Sequence, residues 1–150
     1  MSEYRISPED YMEPRCLLCD EPYGTAPSVR AIPQKRIMEK MDAYMAKKDY
    51  KGAERHLLYW LEEARLGGDL RGELMVRGEL IGHYRKTGNR EGALENVEKV
   101  LSLLREMDFE DSISAGTAFV NAATALNAFG ENGRSLELFE KARIIYESSS

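Results

Sequence analysis

The sequence predicts an all-α protein, arranged as an α-solenoid of three helix-turn-helix repeats that follow an extended N-terminal segment. Three observations lead to this prediction. All five prolines lie at or before Pro33, so no proline interrupts a helix after that point. Apolar residues then recur at helical spacing between short clusters of glycine, asparagine and aspartate. The pattern of one helix also returns after 40 residues and again after 42 more.

Residues 1–33 form the first element, which we predict to be irregular. Its prolines are spaced closely enough to exclude any long helix, because proline lacks an N–H and clashes with the preceding turn. Pro33 suits the first position of a helix, where the missing N–H costs nothing. We expect this segment to act as a cap on the first hairpin. The side chains that would cover the hairpin are Tyr11, Leu17, Leu18 and Tyr23.

Six helices are predicted after this segment, because the breaker clusters divide the rest of the chain into six amphipathic stretches. The predicted helices are 34–47, 50–66, 70–86, 90–107, 112–129 and 134–147. They pair into repeat units of about 34–69, 70–111 and 112–147, within an array that covers 34–150. No alternating apolar and polar stretch is long enough to predict a strand.

The repeat is clearest in the second helix of each unit, where core-type residues form one stripe at helical spacing. In the first unit these residues are Ala53, Leu57, Trp60, Leu61 and Ala64. The equivalent positions hold Ala93, Val97, Val100, Leu101 and Leu104, and then Ser135, Phe139, Ala142, Arg143 and Tyr146. Because Trp60 shares a position with Val100 and Ala142, we expect its indole to be buried between helices.

These positions give the sequence a resemblance to the tetratricopeptide repeat (TPR) family over about residues 34–147. The resemblance depends on tyrosines late in the first helix of a unit, glycines in the turns and small residues early in the second helix. The matching residues are Tyr44, Tyr84, Gly88, Gly130, Ala53, Ala93 and Ser135, with Ala142 later in the last helix. The spacing is closer to the longer repeats of kinesin-light-chain-like arrays. Arg77 departs from the family pattern, because it occupies a position that usually holds a bulky aromatic residue.

The resemblance implies a concave face, lined by the first helix of each unit, that holds a peptide or a segment of a partner protein. The third unit is the most informative, because uncharged polar side chains stand there on a helix rich in alanine. Asparagine carries both a donor and an acceptor, which suits the backbone of an extended peptide. The alternative is that these are solvated positions without a role. The candidate partner-binding residues are Glu79, Arg85, Thr117, Asn121, Thr124 and Asn127.

The motif most suggestive of chemistry is Cys16-Leu17-Leu18-Cys19, which resembles half of a zinc site. Tetrahedral zinc needs four ligands, and the rest of the sequence offers only His56 and His83 in addition to acidic residues. We therefore interpret Cys16 and Cys19 as ordinary small side chains or free thiols. A zinc site and redox catalysis are the alternatives, and in the former the chain would be a zinc-binding or catalytic accessory protein.

Charge and composition restrict the classes of partner. The net charge of −5 disfavours nucleic acid and anionic membrane surfaces. No apolar run approaches the roughly 18 residues of a membrane-spanning helix, and two cysteines without a secretion signal favour the cytoplasm. We therefore expect a cytoplasmic, non-enzymatic scaffold that binds a protein or peptide without a cofactor. A peptide-sensing regulator that acts through another chain is a further alternative.

The last predicted helix ends at a run of three serines, and no capping helix follows it in the sequence. A solenoid needs a polar outer face at its end, because the last repeat has no neighbour. We therefore expect apolar side chains of this helix, including Phe139 and Tyr146, to be left open. This predicts either that the chain is part of a longer array or that it self-associates through its last hairpin.

Overall fold

The computed structural model describes residues 29–149. Within this range the chain forms six α-helices and no strand, which confirms the all-α class and the six predicted helices. Each helix begins and ends within two residues of its predicted bounds. The helices are α1 (Gln34–Ala46), α2 (Tyr50–Leu66), α3 (Leu70–Thr87), α4 (Arg90–Glu106), α5 (Ile113–Ala128) and α6 (Asn132–Ser148).

The five turns between these helices share one geometry. Each contains a residue with left-handed backbone dihedral angles, namely Lys48, Gly68, Gly88, Asp108 and Gly130. In the turn after α3, the N–H of Gly88 bonds to the carbonyl of Arg85, and the N–H of Asn89 bonds to the carbonyl of Tyr84 at 2.9 Å. This pattern is the Schellman motif, which satisfies carbonyls that the helix end leaves open. Glycine adopts this conformation without steric cost, which explains three of the predicted breaker positions.

The residue after the left-handed one caps the next helix in the first three turns. Its side-chain oxygen accepts a hydrogen bond from the backbone N–H three residues further on, at 2.9 Å in each case. The three pairs are Asp49 with Gly52, Asp69 with Gly72, and Asn89 with Gly92. A Cβ on Gly52 would collide with the carboxylate of Asp49 and with the ring of Tyr44. Glycine therefore allows the cap and the preceding helix to approach the start of α2 closely.

The chain divides into two compact units, one ending at Val76 and the other beginning at Arg77, inside α3. In the first unit α1 packs against α2, and Ile37, Leu57 and Trp60 are at most 1% exposed. The predicted burial of Trp60 is confirmed. In the second unit α5 packs against both α4 and α6, and its contact with α6 is the more extensive.

Two buried polar contacts occur at equivalent positions of the first two hairpins. His56 Nε2 lies 2.9 Å from the carbonyl oxygen of Ile37 and donates to it, which joins α2 to α1. The guanidinium of Arg77 donates to Oδ1 of Asn96 at 2.9 Å, which joins α3 to α4. Both members of the second pair stand 40 positions after the members of the first. The helix register within the two hairpins is therefore the same.

Residues 29–33 form no helix and lie along the turn between α2 and α3, within the first unit. The N–H of Arg30 donates to the carbonyl of Gly67 at 2.8 Å, and the N–H of Ile32 donates to the buried carboxylate of Asp69 at 2.9 Å. The end of the predicted irregular segment is therefore attached to this turn. The predicted capping side chains Tyr11, Leu17, Leu18 and Tyr23 lie outside the described residues.

The repeat alignment was wrong about the core face of α6 at three of its five positions, whereas the prediction that Phe139 and Tyr146 are left open is confirmed. Arg143 is exposed, and Phe139 and Tyr146 are 39% and 40% exposed. The buried residues of α6 are Ser135, Leu138, Ala142 and Ile145. The buried face of α6 therefore contains Leu138 and Ile145 in place of the residues that directly follow them, Phe139 and Tyr146.

Candidate partner-binding site

Four of the predicted partner-binding residues lie together on the open face of α5. We call Thr117, Asn121, Thr124 and Asn127 the α5 polar row. Thr124 is half-buried and the other three are exposed. Their spacing places them within about 120° of arc on a helix that turns about 100° per residue. The opposite face is buried and consists of small and apolar residues, Ala115, Gly116, Phe119, Ala122, Ala123, Ala125 and Leu126.

The local sequence explains why α5 orients this way. Ser112 caps the helix by accepting a hydrogen bond from the N–H of Ala115 at 3.0 Å. Alanines on the inner face let α6 approach closely, and Ser135 of α6 donates to the carbonyl of Ala123 at 2.8 Å. This buried contact fixes α6 on the inner side of α5 and leaves the polar row on the outer side.

The threonines and asparagines of the α5 polar row differ in their hydrogen bonding. The hydroxyl of Thr124 donates to the carbonyl of Val120 at 2.8 Å, and the hydroxyl of Thr117 lies 3.1 Å from the hydroxyl of Tyr146. Within residues 29–149, the side-chain amides of Asn121 and Asn127 make no hydrogen bond. The two asparagines therefore present donors and acceptors to solvent, whereas the threonine hydroxyls are already engaged.

Helix α3 passes beside the middle of the row. A Cβ on Gly78 would lie 3.9 Å from Nδ2 of Asn121, so the two helices approach one another there without bulky side chains. Glu79, the next residue, is half-buried, and Arg85 is exposed in the last turn of α3. Arg85 stands two turns, or about 10 Å, along the helix from Gly78. The structure thus places the middle of α3, where Glu79 lies, beside the α5 polar row, and it places Arg85 further along the helix.

Charge is distributed unevenly between the two helices. Helix α5 carries no charged residue, whereas the part of α3 within the second unit carries Glu79, Arg85 and Lys86 outside its buried face. A neutral polar strip of this kind offers hydrogen-bonding groups without net charge. The charges on α3 are of both signs, so this side of the candidate site is neither strongly acidic nor strongly basic.

Arg77 is a polar residue whose role the sequence did not predict. It is 6% exposed, and its partner Asn96 also donates from Nδ2 to the carbonyl of Gly92 at 2.9 Å. Both side chains are thus held by the second hairpin itself, which gives them a structural role. The alignment of Asn96 with His56, 40 residues earlier, is the sequence feature that could have indicated a recurring polar contact.

The candidate metal ligands Cys16 and Cys19 lie outside the described residues. Between residues 29 and 149, no group of three or more histidine, cysteine, aspartate or glutamate side chains is arranged to hold a metal ion. His56 and His83 are both buried within helices. None of the helices in the described range is long and apolar enough to span a bilayer.

No protein-family model matches this chain, and no match was found among curated proteins or among solved structures.

Proposed function

We propose that this chain is a non-enzymatic scaffold that holds a protein or peptide segment on the α5 polar row, within a TPR-like α-solenoid of three repeats. One observation carries the proposal: Asn121 and Asn127 present unoccupied amides on an uncharged, open helix face. Glu79 and Arg85 on α3 would contact the flanks of the bound segment. The proposed role needs neither a cofactor nor a catalytic residue.

The dimensions of the row suit an extended peptide. Asn121 and Asn127 are six residues apart, which corresponds to about 9 Å along the helix axis. An extended chain advances about 3.3 Å per residue, so the two amides would bond to backbone groups about three residues apart. Each amide supplies a donor and an acceptor, so it can bond to both groups of one peptide unit.

Regularities in the fold support a repeat architecture for the scaffold. Polar contacts at positions 37 and 56 recur at positions 77 and 96, and all five turns contain a left-handed residue. In the TPR family, such hairpins stack so that their first helices line a concave surface. Stacking is also what a single hairpin requires, because it buries only one face by itself.

Gly82, in the second half of α3, has open space where a side chain would stand. Glycine within a helix costs about 1 kcal/mol relative to alanine. A Cβ on Gly82 would meet nothing within 4 Å, so no neighbour in the described part of the chain requires a glycine there. Close approach of a partner backbone to α3 would explain this residue. The bound segment would then lie over both α3 and α5.

The class of partner follows from charge. The net charge of −5 and the neutral α5 face favour a neutral or mildly basic peptide over nucleic acid. We propose that the partner is met in the cytoplasm, where unpaired cysteines stay reduced.

A peptide-display library panned against the full chain tests the proposal. Selected peptides would then be titrated by fluorescence polarisation against the wild type and the Asn121→Ala/Asn127→Ala variant. Loss of two hydrogen bonds of about 1 kcal/mol each should raise the Kd roughly tenfold or more. Asn132→Ala removes the same amide group from the exposed first residue of α6 and should leave the Kd unchanged.

The double variant should keep the thermal midpoint of the wild type, since both asparagines are exposed. Peptides that bind the double variant as tightly as the wild type would contradict the proposal. So would a library that yields no specific binder.

A further inference from the structure

Helix α6 carries a line of exposed side chains that the α5 polar row does not use. We call Leu136, Phe139, Arg143 and Tyr146 the α6 stripe. Leu136 is 71% exposed, and Phe139 and Tyr146 are about 40% exposed. Helix α6 buries its other side, through Leu138, Ala142 and Ile145 among others. The stripe is therefore a mostly apolar surface that the described part of the chain leaves open.

The equivalent positions of the earlier hairpins are fully covered. Val97 and Leu104 of α4 correspond to Phe139 and Tyr146 in the repeat, and both are 0% exposed. Helix α4 has α5 packed against it, whereas α6 is the last helix described. Two positions of the α6 stripe thus retain the apolar chemistry of a helix contact. Contiguous exposed apolar surface of this kind usually marks an interface.

The spacing of the stripe matches a second copy of itself. Its members are separated by three, four and three residues, so the pattern reads the same in both directions. A second α6 laid antiparallel about a two-fold axis near position 141 would place Leu136 opposite Tyr146 of the other copy. The same arrangement would place Phe139 opposite Arg143, and the axis would generate each contact twice.

Charge favours the antiparallel orientation over the parallel one. The guanidinium of Arg143 bonds to Glu140, and at 2.7 Å to Glu147. These hydrogen bonds, first that of Glu140 and then that of Glu147, raise the pKa of Arg143, while Arg143 lowers the pKa of Glu140. With its N–H edges engaged, the guanidinium can still stack its flat face on an aromatic ring. A parallel pair in register would instead bring the two Arg143 side chains together.

Tyr146 is already oriented for such a contact. A Cβ on Gly116 would lie 3.1 and 3.2 Å from two ring carbons of Tyr146, and the hydroxyl of Tyr146 lies 3.1 Å from that of Thr117. The ring is thus held by α5 on one side while it stays 40% exposed. Little conformational freedom remains for Tyr146 to lose on association.

We propose that the chain forms an antiparallel, two-fold symmetric dimer through the α6 stripe. The occupant of this surface is a second copy of the same chain, with Leu136 on Tyr146 and Phe139 on Arg143. The dimer does not require peptide binding by the α5 polar row, although the two surfaces meet where the hydroxyls of Tyr146 and Thr117 lie 3.1 Å apart. One helix against one helix is smaller than the standard interface of about 1,600 Å², so the dimer should be reversible.

Sedimentation velocity over a concentration series tests the dimer. We expect the wild type to shift from monomer to dimer as its concentration rises. Leu136→Glu should raise the midpoint concentration about tenfold or more, because it removes an apolar contact and places a carboxylate against the electron-rich ring of Tyr146. Ile144→Glu is the matched control, since Ile144 is 53% exposed on another side of the same helix and should leave the midpoint unchanged.

A wild type that remains monomeric to several hundred micromolar would overturn the proposal. An equal effect of Leu136→Glu and Ile144→Glu would do the same. Circular dichroism of each variant checks that the helices are intact, so that a lost dimer is not mistaken for a lost fold.

Disulfide trapping tests the orientation. Chains with Leu136→Cys and chains with Tyr146→Cys, both in a Cys16→Ser/Cys19→Ser background, would be oxidised separately and as a mixture. The antiparallel pairing predicts a covalent dimer in the mixture and much less in either chain alone. Faster cross-linking within each single variant would indicate a parallel pairing and overturn the proposed geometry. A second mixture, Phe139→Cys with Arg143→Cys, repeats the test at the inner contact.

Discussion

Trp60 is the largest of the side chains that are less than 2% exposed, and it is the only tryptophan in the sequence. Its indole meets the ring of Tyr59 edge-on, with centroids 5.0 Å apart. Trp60→Ala should lower the free energy of unfolding by about 3–5 kcal/mol, because it removes a large aromatic group and leaves a cavity. Urea denaturation followed by circular dichroism measures this loss.

Leu58 provides the control for Trp60, because it lies two residues away on the same helix and is 43% exposed. Leu58→Ala should change stability by no more than about 0.5 kcal/mol. Equal urea midpoints for the two variants would show that burial of Trp60 is not what stabilises the first hairpin.

The N-terminal caps of α2 and α3 have the same local geometry but accept different numbers of hydrogen bonds. Asp49 accepts one hydrogen bond, from Gly52, whereas Asp69 accepts from Gly72 and also from the N–H of Ile32. Asp49→Ala should cost about 1 kcal/mol, as loss of a helix cap does. Asp69→Ala should cost about 1–3 kcal/mol more, because it also leaves the N–H of Ile32 without its acceptor.

Thermal or urea unfolding of the two aspartate variants, measured side by side, gives the comparison. Asp69→Asn is a useful third variant, because its amide oxygen can still accept while the negative charge is removed. If Asp49→Ala and Asp69→Ala are equally destabilised, residues 29–33 are not held by Asp69 in solution.

The turns illustrate which features of an element the sequence could reveal. Gly68, Gly88 and Gly130 were recognisable as breakers because glycine favours the left-handed conformation. Lys48 and Asp108 adopt the same conformation, with φ of 56° and 55°, although it costs an L-residue about 1–2 kcal/mol. Their neighbours Asp49 and Phe109 complete the same Schellman hydrogen bonds. The clusters Lys48-Asp49 and Asp108 to Ser112 located these two turns in the sequence, but they did not reveal which residue takes the left-handed conformation.

For the whole molecule, the sequence predicted the helices better than it predicted their faces. Spacing of apolar residues and breakers determined the six helices, because both are local properties of the chain. Which side of α6 is covered depends on neighbouring helices. Phe139 and Tyr146 share repeat positions with buried residues of α4, yet both are exposed, as we expected for the last predicted helix. In the candidate site, the shared face of the α5 polar row followed from helical spacing. The occupied hydroxyls of Thr117 and Thr124 did not, because they depend on side-chain rotamers.

Helix α3 connects the two compact units, which meet in sequence between Val76 and Arg77. If one unit unfolded alone, α3 would be cut into pieces of seven and eleven residues. Isolated helices shorter than about 12–15 residues are marginal in water, so each piece would lose much of its stability. We therefore expect the two units to unfold in one cooperative transition.

Two probes of urea unfolding test this cooperativity. Fluorescence of Trp60 reports on the first unit, while far-ultraviolet circular dichroism reports on all the helices. The two midpoints should coincide in the wild type. Leu104→Ala, at a fully buried position of α4 in the second unit, should move both midpoints down together. If this variant moves the dichroism midpoint and leaves the fluorescence midpoint in place, the units unfold separately and α3 does not couple them.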